Sequence, residues 1–198
     1  MSRKPKTIAG YDYGTPSVPR WAVTMDDLGK LEKSAEFTAE DRRYLTLAGD
    51  VLADQAEKMV DAWRARIGKQ EHLARWFFGP DDKPDERYKA SVKRRFVQWV
   101  IDTCTRPFDQ VWLDYQDEIA RRHTPEKKNK TDGVQAPPLV PLRYLVAFMA
   151  VVITTSKEFL AAKGHSPEQV EGMYAAWTKA MLLTLALWSR PYAKEGLW

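Results

Sequence analysis

The stretch from Trp112 to Asn129 decides the fold, and it reads WLDYQDEIARRHTPEKKN. Apolar side chains recur along it at helical spacing, at Trp112, Tyr115 and Ile119. Pro125 is expected to end this helix, because proline lacks a backbone donor and disfavours helical geometry in the residue before it. The pattern therefore predicts an amphipathic helix over about residues 108–123, with His123 at the end of its apolar face.

A histidine at the apolar end of a helix has the chemistry that an axial ligand of haem iron requires. Iron binds a neutral imidazole nitrogen, and an apolar wall keeps water away from it. The same position also fits a helix cap or a packed surface histidine. His72 and His165 stand in polar surroundings, so we assign them surface or capping roles. No two of the three histidines have the spacing of zinc ligands.

Length and composition indicate a soluble protein with a substantial core. The chain has 198 residues, of which 44% are hydrophobic, so we expect one domain. Its single cysteine, Cys104, excludes an internal disulfide, a CxxC metal or redox pair and the CxxCH motif of covalently attached haem. The N-terminus lacks the apolar segment of a signal peptide, and the longest apolar stretch, residues 144–155, is shorter than a bilayer span. We therefore expect a cytoplasmic protein without a membrane partner.

The charge pattern gives no indication of a nucleic-acid partner. The net charge is +4, and acidic and basic residues are interspersed along the chain. The exception is the cluster Lys127-Lys128-Asn129-Lys130, which we expect to be a solvated loop. No aromatic motif that stacks on bases accompanies this cluster, so we expect no nucleic-acid binding.

Helical periodicity dominates between the glycine and proline residues, without an alternating strand pattern or an internal repeat. Residues 1–20 are rich in Gly, Pro and Ser and are expected to pack on the surface as an N-terminal extension. The predicted helices cover about residues 25–35, 38–68 (as two helices with little or no loop between them), 70–78, 85–104, 108–123, 141–163 and 167–188. Thr38 with Asp41 is a capping signal for the second of these. Periodicity by itself also allows a plain helical bundle.

Six blocks in order along the chain resemble one family. They are AGYDYG at 9–14, FTAED at 37–41, RRFVQWVIDTC at 94–104, DQVWLDYQDEI at 109–119, PLRYLVAF at 141–148 and ALWSRPY at 186–192. The chain resembles the protoglobins, single-domain haem globins related to globin-coupled sensors. The resemblance implies an all-α globin fold, a 3-on-3 helical sandwich with an extra N-terminal helix and an N-terminal loop, over residues 1–198 as one domain.

The resemblance also implies a cofactor and an assembly. The cofactor is haem b, held without a covalent bond, and the histidine that follows the arginine of the proximal helix is its iron ligand. His123 matches that histidine, and the next residue, often a second histidine in the family, is Thr124 here. The family forms homodimers through its last two helices. Both predicted helices are apolar around much of their circumference, which agrees with burial on more than one side.

The residues that the family places over the iron depart from its usual pattern. Trp63 matches the family's tryptophan, but the tyrosine that normally follows it is Arg64 here. A permanently charged guanidinium is costly to bury without a partner. We therefore expect Arg64 to reach a haem propionate, an anionic ligand or solvent, and the family's tyrosine-based stabilisation of oxygen does not carry over.

Further residues are assigned to the pocket by the same resemblance. Phe96, Phe148 and Val152 match positions in the distal wall. The helix of Phe148 continues as Met149-Ala150-Val151 where the family often has Tyr-Pro, a change that could widen or reshape the pocket. Helical projection, and not the resemblance, places Arg95 beside Val92 and Trp99, so it can pair with a propionate at the pocket edge or remain a solvated charge.

Together these features imply a haem protein that reversibly binds the diatomic gases O2, CO and NO at an open distal position. One alternative is a haem enzyme that performs peroxide- or nitrite-dependent redox chemistry or carbene-type group transfer in the reshaped pocket. Another is a stand-alone gas sensor, although globin sensors normally carry an output domain. A cofactor-free helical interaction protein would differ from all three in having no haem absorption spectrum.

Overall fold

The computed structural model describes residues 8–194 and 196–198. These residues contain nine α-helices: α1 (Met25–Ser34), α2 (Ala39–Leu52), α3 (Ala56–Gly68), α4 (Glu71–Ala74), α5 (Glu86–Thr105), α6 (Gln110–Arg121), α7 (Leu142–Thr154), α8 (Ser156–Leu160) and α9 (Pro167–Ser189). Short 3-10 turns cover Arg75–Phe77, Ala161–Lys163 and Arg190–Tyr192. The β pairing within the described ranges is one isolated bridge between Phe78 and Pro84. The predicted all-α class is confirmed.

Capping boxes fix where several helices begin. The side-chain oxygen of Thr38 accepts a hydrogen bond from the backbone N–H of Asp41, and the Asp41 carboxylate accepts from the backbone N–H of Thr38. The same reciprocal arrangement begins α1 at Thr24 and α9 at Ser166. Each box satisfies backbone donors that the first helical turn leaves free and stabilises the helix by about 1 kcal/mol. The capping signal predicted at Thr38 is confirmed.

The long helix predicted over residues 141–163 is interrupted at Thr155, which separates α7 from α8. Three consecutive hydroxyl side chains donate back to carbonyl oxygens of the preceding turn: Thr154 to Ala150, Thr155 to Val151 and Ser156 to Ile153. Such bonds compete with the helical backbone pattern. The Thr155 hydroxyl also accepts a hydrogen bond from the indole N–H of Trp63, at 2.8 Å. The interruption is therefore a packed feature of the fold.

Helix α9 lies at the centre of the helix packing and contacts α2, α6, α7 and α8, while α5 packs on α2 and α3. Tryptophan side chains fill the space between these helices. The ring of Trp177 on α9 lies 6.5 Å from the ring of Trp63 on α3 and 6.3 Å from that of Trp99 on α5. Both Trp63 and Trp177 have no exposed surface. This aromatic core supports one side of the cavity described below.

The run Leu142–Lys163 is long and apolar enough to cross a membrane by length and composition alone. It is longer than the apolar stretch counted from the sequence, because α7, α8 and the 3-10 turn follow one another without a loop. A helix of this composition is weak evidence for a membrane span. In the fold it packs on α9, and its Phe148 and Val152 line the cavity.

The N-terminal segment is described from Ile8 onward, and the first seven residues of the predicted extension lie outside the described residues. The Tyr11 hydroxyl donates to the carboxylate of Asp102 on α5 at 2.7 Å. The backbone N–H of Trp21 donates to Asp114 on α6 at 2.9 Å. The ring of Tyr11 also lies 5.0 Å from that of Tyr115 on α6, so the described part of the extension packs on α5 and α6.

The packing of α9 on α2 can be tested by a substitution at Gly172 of α9. A Cβ added there would lie 2.3 Å from Cζ of Tyr44, so the tyrosine ring would have to move. Overpacking of this kind costs about 1–3 kcal/mol, whereas alanine in place of glycine inside a helix gains about 1 kcal/mol. We expect Gly172→Ala to lower the melting temperature measured by calorimetry.

Gly29 of α1 provides the matched control. A Cβ at this position meets no atom of the described chain within 4 Å, so Gly29→Ala gains the helix propensity alone and should raise the melting temperature. A higher melting temperature in both Gly172→Ala and Gly29→Ala would show that α9 does not pack on Tyr44 as closely as described.

Candidate functional site

A cavity of about 240 Å³ opens between α3, α5 and α7 and reaches the turn after α6. Most of its wall is apolar or aromatic. These wall residues include Ile67, Leu73, Trp76, Phe77, Val92, Phe96, Trp99, Ile119, Val140, Tyr144, Leu145, Phe148, Met149, Val152 and Trp188. A space of this kind excludes water from whatever group it holds and strengthens electrostatic interactions inside it.

His123 lines the cavity from the turn that follows α6. The helix ends at Arg121, two residues before the predicted end, so the histidine lies just beyond the helix. Its backbone N–H donates to the carbonyl oxygen of Ala120 at 3.0 Å. Its carbonyl oxygen accepts from the N–H of Val140 at 2.8 Å and from the hydroxyl of Tyr192 at 3.3 Å. Bonds from three parts of the chain thus fix its backbone.

The imidazole of His123 has one defined tautomer. Its Nδ1 lies 3.0 Å from the carbonyl oxygen of Ile119, and because a carbonyl only accepts, Nδ1 carries the proton. Nε2 therefore keeps its lone pair. The ring lies 5.3 Å from that of Trp188, and burial lowers the pKa of His123 to about 4, so the imidazole is neutral near pH 7. One neutral imidazole in an apolar cavity suits a metal that brings its other ligands with it, as an iron porphyrin does.

The structure brings seven of the eight predicted site residues to this cavity. They are Arg64, Val92, Arg95, Phe96, His123, Phe148 and Val152. Trp63 does not line the cavity. Its side chain is fully buried behind Phe96, with 5.2 Å between the two ring centres, and its indole N–H donates to Thr155. Trp63 therefore supports the wall from behind.

Arg64 is half-buried and lines the cavity without an ion pair to any described residue. Its Nη1 donates to the carbonyl oxygen of Lys89 in the first turn of α5, at 2.8 Å. Burial lowers its pKa, whereas the charges of Asp61 and Glu86 act in the opposite direction. The guanidinium remains charged and keeps further N–H donors beside the cavity.

Arg95 already has an anionic partner in the chain. Its two terminal nitrogens donate to the two carboxylate oxygens of Asp132, at 3.0 and 2.5 Å, and Nη1 also donates to the carbonyl oxygen of Ala9 at 3.2 Å. The arginine and aspartate side chains are 11% and 12% exposed. Arg95, which the sequence suggested as a propionate partner, therefore has its charge balanced by a bidentate pair with Asp132.

The structure adds residues that the sequence did not indicate. Four of them with Arg95 form a polar edge of the cavity: Tyr88, Lys128, Thr131 and Asp132. The expectation that Lys128 belongs to a solvated loop is wrong, because the residue is only 4% exposed. Its Nζ donates to the carbonyl oxygen of Trp76 at 2.8 Å and lies 5.2 Å from the ring centre of Tyr88. The sequence carried no signal for this, since charge clusters in loops are usually solvated.

The N-terminal segment packs closely against the polar edge. A Cβ at Gly10, which has a φ of +70°, would lie 2.9 Å from Nη1 of Arg95 and 3.1 Å from Cγ2 of Thr131. Only a residue without a side chain fits there in that conformation. Tyr11 beside it lines the cavity. The block AGYDYG in the sequence is therefore the signal for this part of the site.

The residues present fit a haem. A haem needs a flat apolar slot, one axial ligand and polar groups for its two carboxylates. The aromatic walls, the Nε2 lone pair of His123 and the cations of the polar edge meet these needs. The indole N–H groups of Trp76 and Trp99, both in the wall, are buried with no acceptor among the described residues. A buried donor of this kind needs a hydrogen-bond partner that the described residues do not supply.

Comparisons with known proteins agree with this geometry. The model of the protoglobin family matches residues 24–198. The solved structures that match include the globin domain of the Geobacter sulfurreducens globin-coupled sensor, with a TM-score of 0.66 and 16% sequence identity over 87% of this chain and 99% of that domain. No curated protein matches the chain significantly.

The structural match confirms the predicted globin fold, with α1 as the additional N-terminal helix. At 16% identity the match supports the fold, while the family assignment rests on the sequence. Because the family model covers well over half of its length, the chain belongs to the protoglobin family of haem globins.

Proposed function

We propose that the protein is a globin that holds haem b through His123 and reversibly binds O2, CO and NO in the cavity. We take residues 1–198 to form one globin domain and place the protein in the cytoplasm. The observation that carries the proposal is the hydrogen bond between Nδ1 of His123 and the Ile119 carbonyl, which leaves Nε2 free inside an aromatic cavity. Haem, when bound, supplies an iron centre that takes up small diatomic molecules.

The chain's own residues hold and insulate the cofactor in this proposal. The Ile119 carbonyl orients the imidazole and increases its basicity, as second-shell partners of metal-bound histidines do. Trp188 packs on the ring at 5.3 Å, and its indole N–H donates to Gln116 at 2.9 Å, which fixes the tryptophan in turn. The apolar wall excludes water, and the polar edge provides hydrogen-bond donors for the carboxylates.

Arg64 supports a second candidate function, a haem enzyme that acts on anionic or peroxide substrates. A charged guanidinium with spare N–H donors attracts anions such as nitrite and azide, whereas neutral O2 gains little from it. Peroxide- or nitrite-dependent redox chemistry and carbene-type group transfer are the reactions that we assign to this alternative. A stand-alone sensor is a further candidate, because the matched structure is the globin domain of a sensor.

We infer that the protein forms homodimers through α7 and α9. Val146 of α7 is 49% exposed and Leu182 of α9 is 51% exposed, and both are large apolar side chains. The two helices pack on each other, so apolar surface is available on neighbouring elements. Removing such surface from water is favourable by about 25 cal/mol per Å², and only the surplus over the entropic cost of association stabilises the dimer.

His123→Gly tests the axial ligand. The variant should purify with little or no haem, because it removes the proposed ligand while leaving space for a free imidazole. Addition of imidazole should restore the haem absorption band, which loss of folding would not allow. His165→Gly is the control and should keep its haem, since that histidine is not among the residues that line the cavity. Full haem content in His123→Gly without imidazole would show that another group binds the iron.

Arg64→Leu tests the anion hypothesis. Removal of a charge-assisted donor worth about 1.5–3 kcal/mol should weaken azide binding to the ferric protein by about tenfold or more. Arg64→Tyr should slow O2 dissociation, because a phenol donates to a neutral ligand. Arg66→Leu is the control, since Arg66 donates within its own helix to Ala62. Unchanged azide affinity together with several-fold faster O2 release in Arg64→Leu would identify Arg64 as the oxygen-stabilising donor.

Leu182→Glu tests the dimer. Light scattering of the wild-type protein at micromolar concentration should give twice the 22.8 kDa chain mass, and the variant should give the chain mass alone. Val111→Glu, on α6 and 41% exposed, changes the charge equally and should leave the dimer intact. A monomeric wild-type protein would contradict the proposal.

A further inference from the structure

We propose that Lys128 and Tyr88 form a carboxylate-binding subsite inside the cavity, and that it holds one of the two carboxylates of the haem. The inference rests on the proposed function. It assigns a role to residues outside the apolar wall and the axial ligand. It is supported by three features of the structure. The ammonium group of Lys128 is buried without an ion pair to a described residue, the nearby carboxylates bind other cations, and Lys128 and Tyr88 both line the cavity.

The first observation concerns the cost of burying Lys128. An ammonium group taken out of water without a partner is destabilising by several kcal/mol. Lys128 is 4% exposed, and its one hydrogen bond to a described residue goes to a neutral carbonyl oxygen, that of Trp76. The aromatic face of Tyr88 offers a weaker cation–π contact at 5.2 Å. Two of the three N–H donors of the ammonium remain available.

The second observation concerns the acidic groups around this side of the cavity. Both carboxylate oxygens of Asp132 accept from Arg95. One oxygen of Glu118 accepts from Arg122 and the other from Lys127. Among the described residues, these acids are therefore occupied by other cations. Lys128 is the cation of the polar edge without a direct ion pair to a described residue. Burial lowers its pKa, and the nearby charge of Asp132 acts in the opposite direction by favouring the ammonium form, but both Asp132 oxygens bind Arg95.

A ligand in the cavity has direct access to Lys128 and Tyr88. Lys128 and Tyr88 both line the cavity, so a ligand in the cavity reaches them without passing through the protein. Tyr88 is 5% exposed, and its one hydrogen bond to a side chain of the described residues is made by its backbone N–H, which leaves the hydroxyl without a partner among them. Burial raises the pKa of Tyr88 to about 12, so the phenol stays protonated and can donate.

An ammonium and a phenol at one edge of an apolar cavity suit a ligand that is flat and apolar with a carboxylate at its rim. A carboxylate accepts from both donors and balances the charge of Lys128. Haem has this chemistry. A small free anion could use the same donors, so the experiment must distinguish a carboxylate carried by the cofactor from one that is free in solution.

Lys128→Met removes the charge and keeps most of the side-chain volume. The full chain is reconstituted with haem or with haem dimethyl ester, in which both carboxylates are esterified. The rate of haem loss to an excess of a scavenging apoglobin is then followed by absorption. We expect Lys128→Met to speed the loss of haem by about tenfold, as removal of a charge-assisted bond implies, and to leave the loss of the ester nearly unchanged. Tyr88→Phe should give a smaller effect of the same selectivity.

Two control variants make the result specific. Lys130→Met removes an exposed lysine of the same loop and should change neither rate. Lys128→Arg keeps the charge and should retain most of the haem affinity. Equal acceleration for haem and its ester in Lys128→Met would indicate a packing role and overturn the proposal. Unchanged haem loss that is accompanied by weaker azide or acetate binding would assign the subsite to a free anion and would also overturn it.

Thermal stability provides an independent readout. In the haem-free chain, Lys128→Met removes an unbalanced buried charge, so the melting temperature should rise. In the haem-bound chain it removes an ion pair, so the melting temperature should fall. If Lys128 only bonds to the Trp76 carbonyl, Lys128→Met should lower the melting temperature of both the haem-free and the haem-bound chain. That result would contradict the subsite. A wild-type chain that takes up no haem would instead refute the proposed function, so the two failures are distinguishable.

Discussion

The site depends on one hydrogen bond, from Nδ1 of His123 to the carbonyl oxygen of Ile119. The carbonyls of the last helical turn lack their usual partners four residues on, and the Ile119 carbonyl, which accepts from the backbone N–H of Arg122 at 3.1 Å, has a second lone pair for a side chain just beyond the helix. The imidazole uses that acceptor, and its other nitrogen is thereby left with a lone pair inside the cavity. The turn is held in place by two hydrogen bonds to the carbonyl oxygen of His123, one from the backbone N–H of Val140 and one from the hydroxyl of Tyr192. The end of a helix thus determines the chemistry of the cavity.

The polar side of the cavity is organised by the way its charges pair. Arg95 with Asp132 and Arg122 with Glu118 form balanced pairs that also bind backbone carbonyls of the N-terminal segment, at Ala9 and Gly10. These pairs hold the segment against the cavity and leave little net charge. Lys128 is the exception, because it is buried as deeply as Arg95 and Asp132 but forms no ion pair with a described residue. Strongly perturbed charged groups cluster at functional sites, which agrees with the ligand-binding role proposed for Lys128.

The sequence predicted the helices well where one periodic face or one cap determined them. Thr38 with Asp41 marked the start of α2, and the apolar spacing around Ile119 marked α6. It missed the interruption at Thr155, which depends on hydroxyl groups bonding to the preceding turn and on Trp63, distant in sequence. It also missed the burial of Lys128, because burial of a loop residue is decided by what packs over the loop. Seven of the eight predicted site residues reach the cavity, but the assignment of most of them came from the family resemblance.

The geometry of α3 explains how an arginine is accommodated at residue 64, where the resemblance led us to expect a tyrosine. Consecutive helical residues point about 100° apart, so Trp63 and Arg64 face different surroundings. Trp63 lies among the core aromatic rings, while Arg64 and Ile67, three residues apart, line the cavity. A change at residue 64 therefore alters the groups that meet a ligand without disturbing Trp63 among the core aromatic rings. The guanidinium can also satisfy part of its hydrogen-bonding capacity on the Lys89 carbonyl, which lowers the cost of a charge at the cavity wall. The fold thus separates the residue that supports the wall from the residue that sets its chemistry.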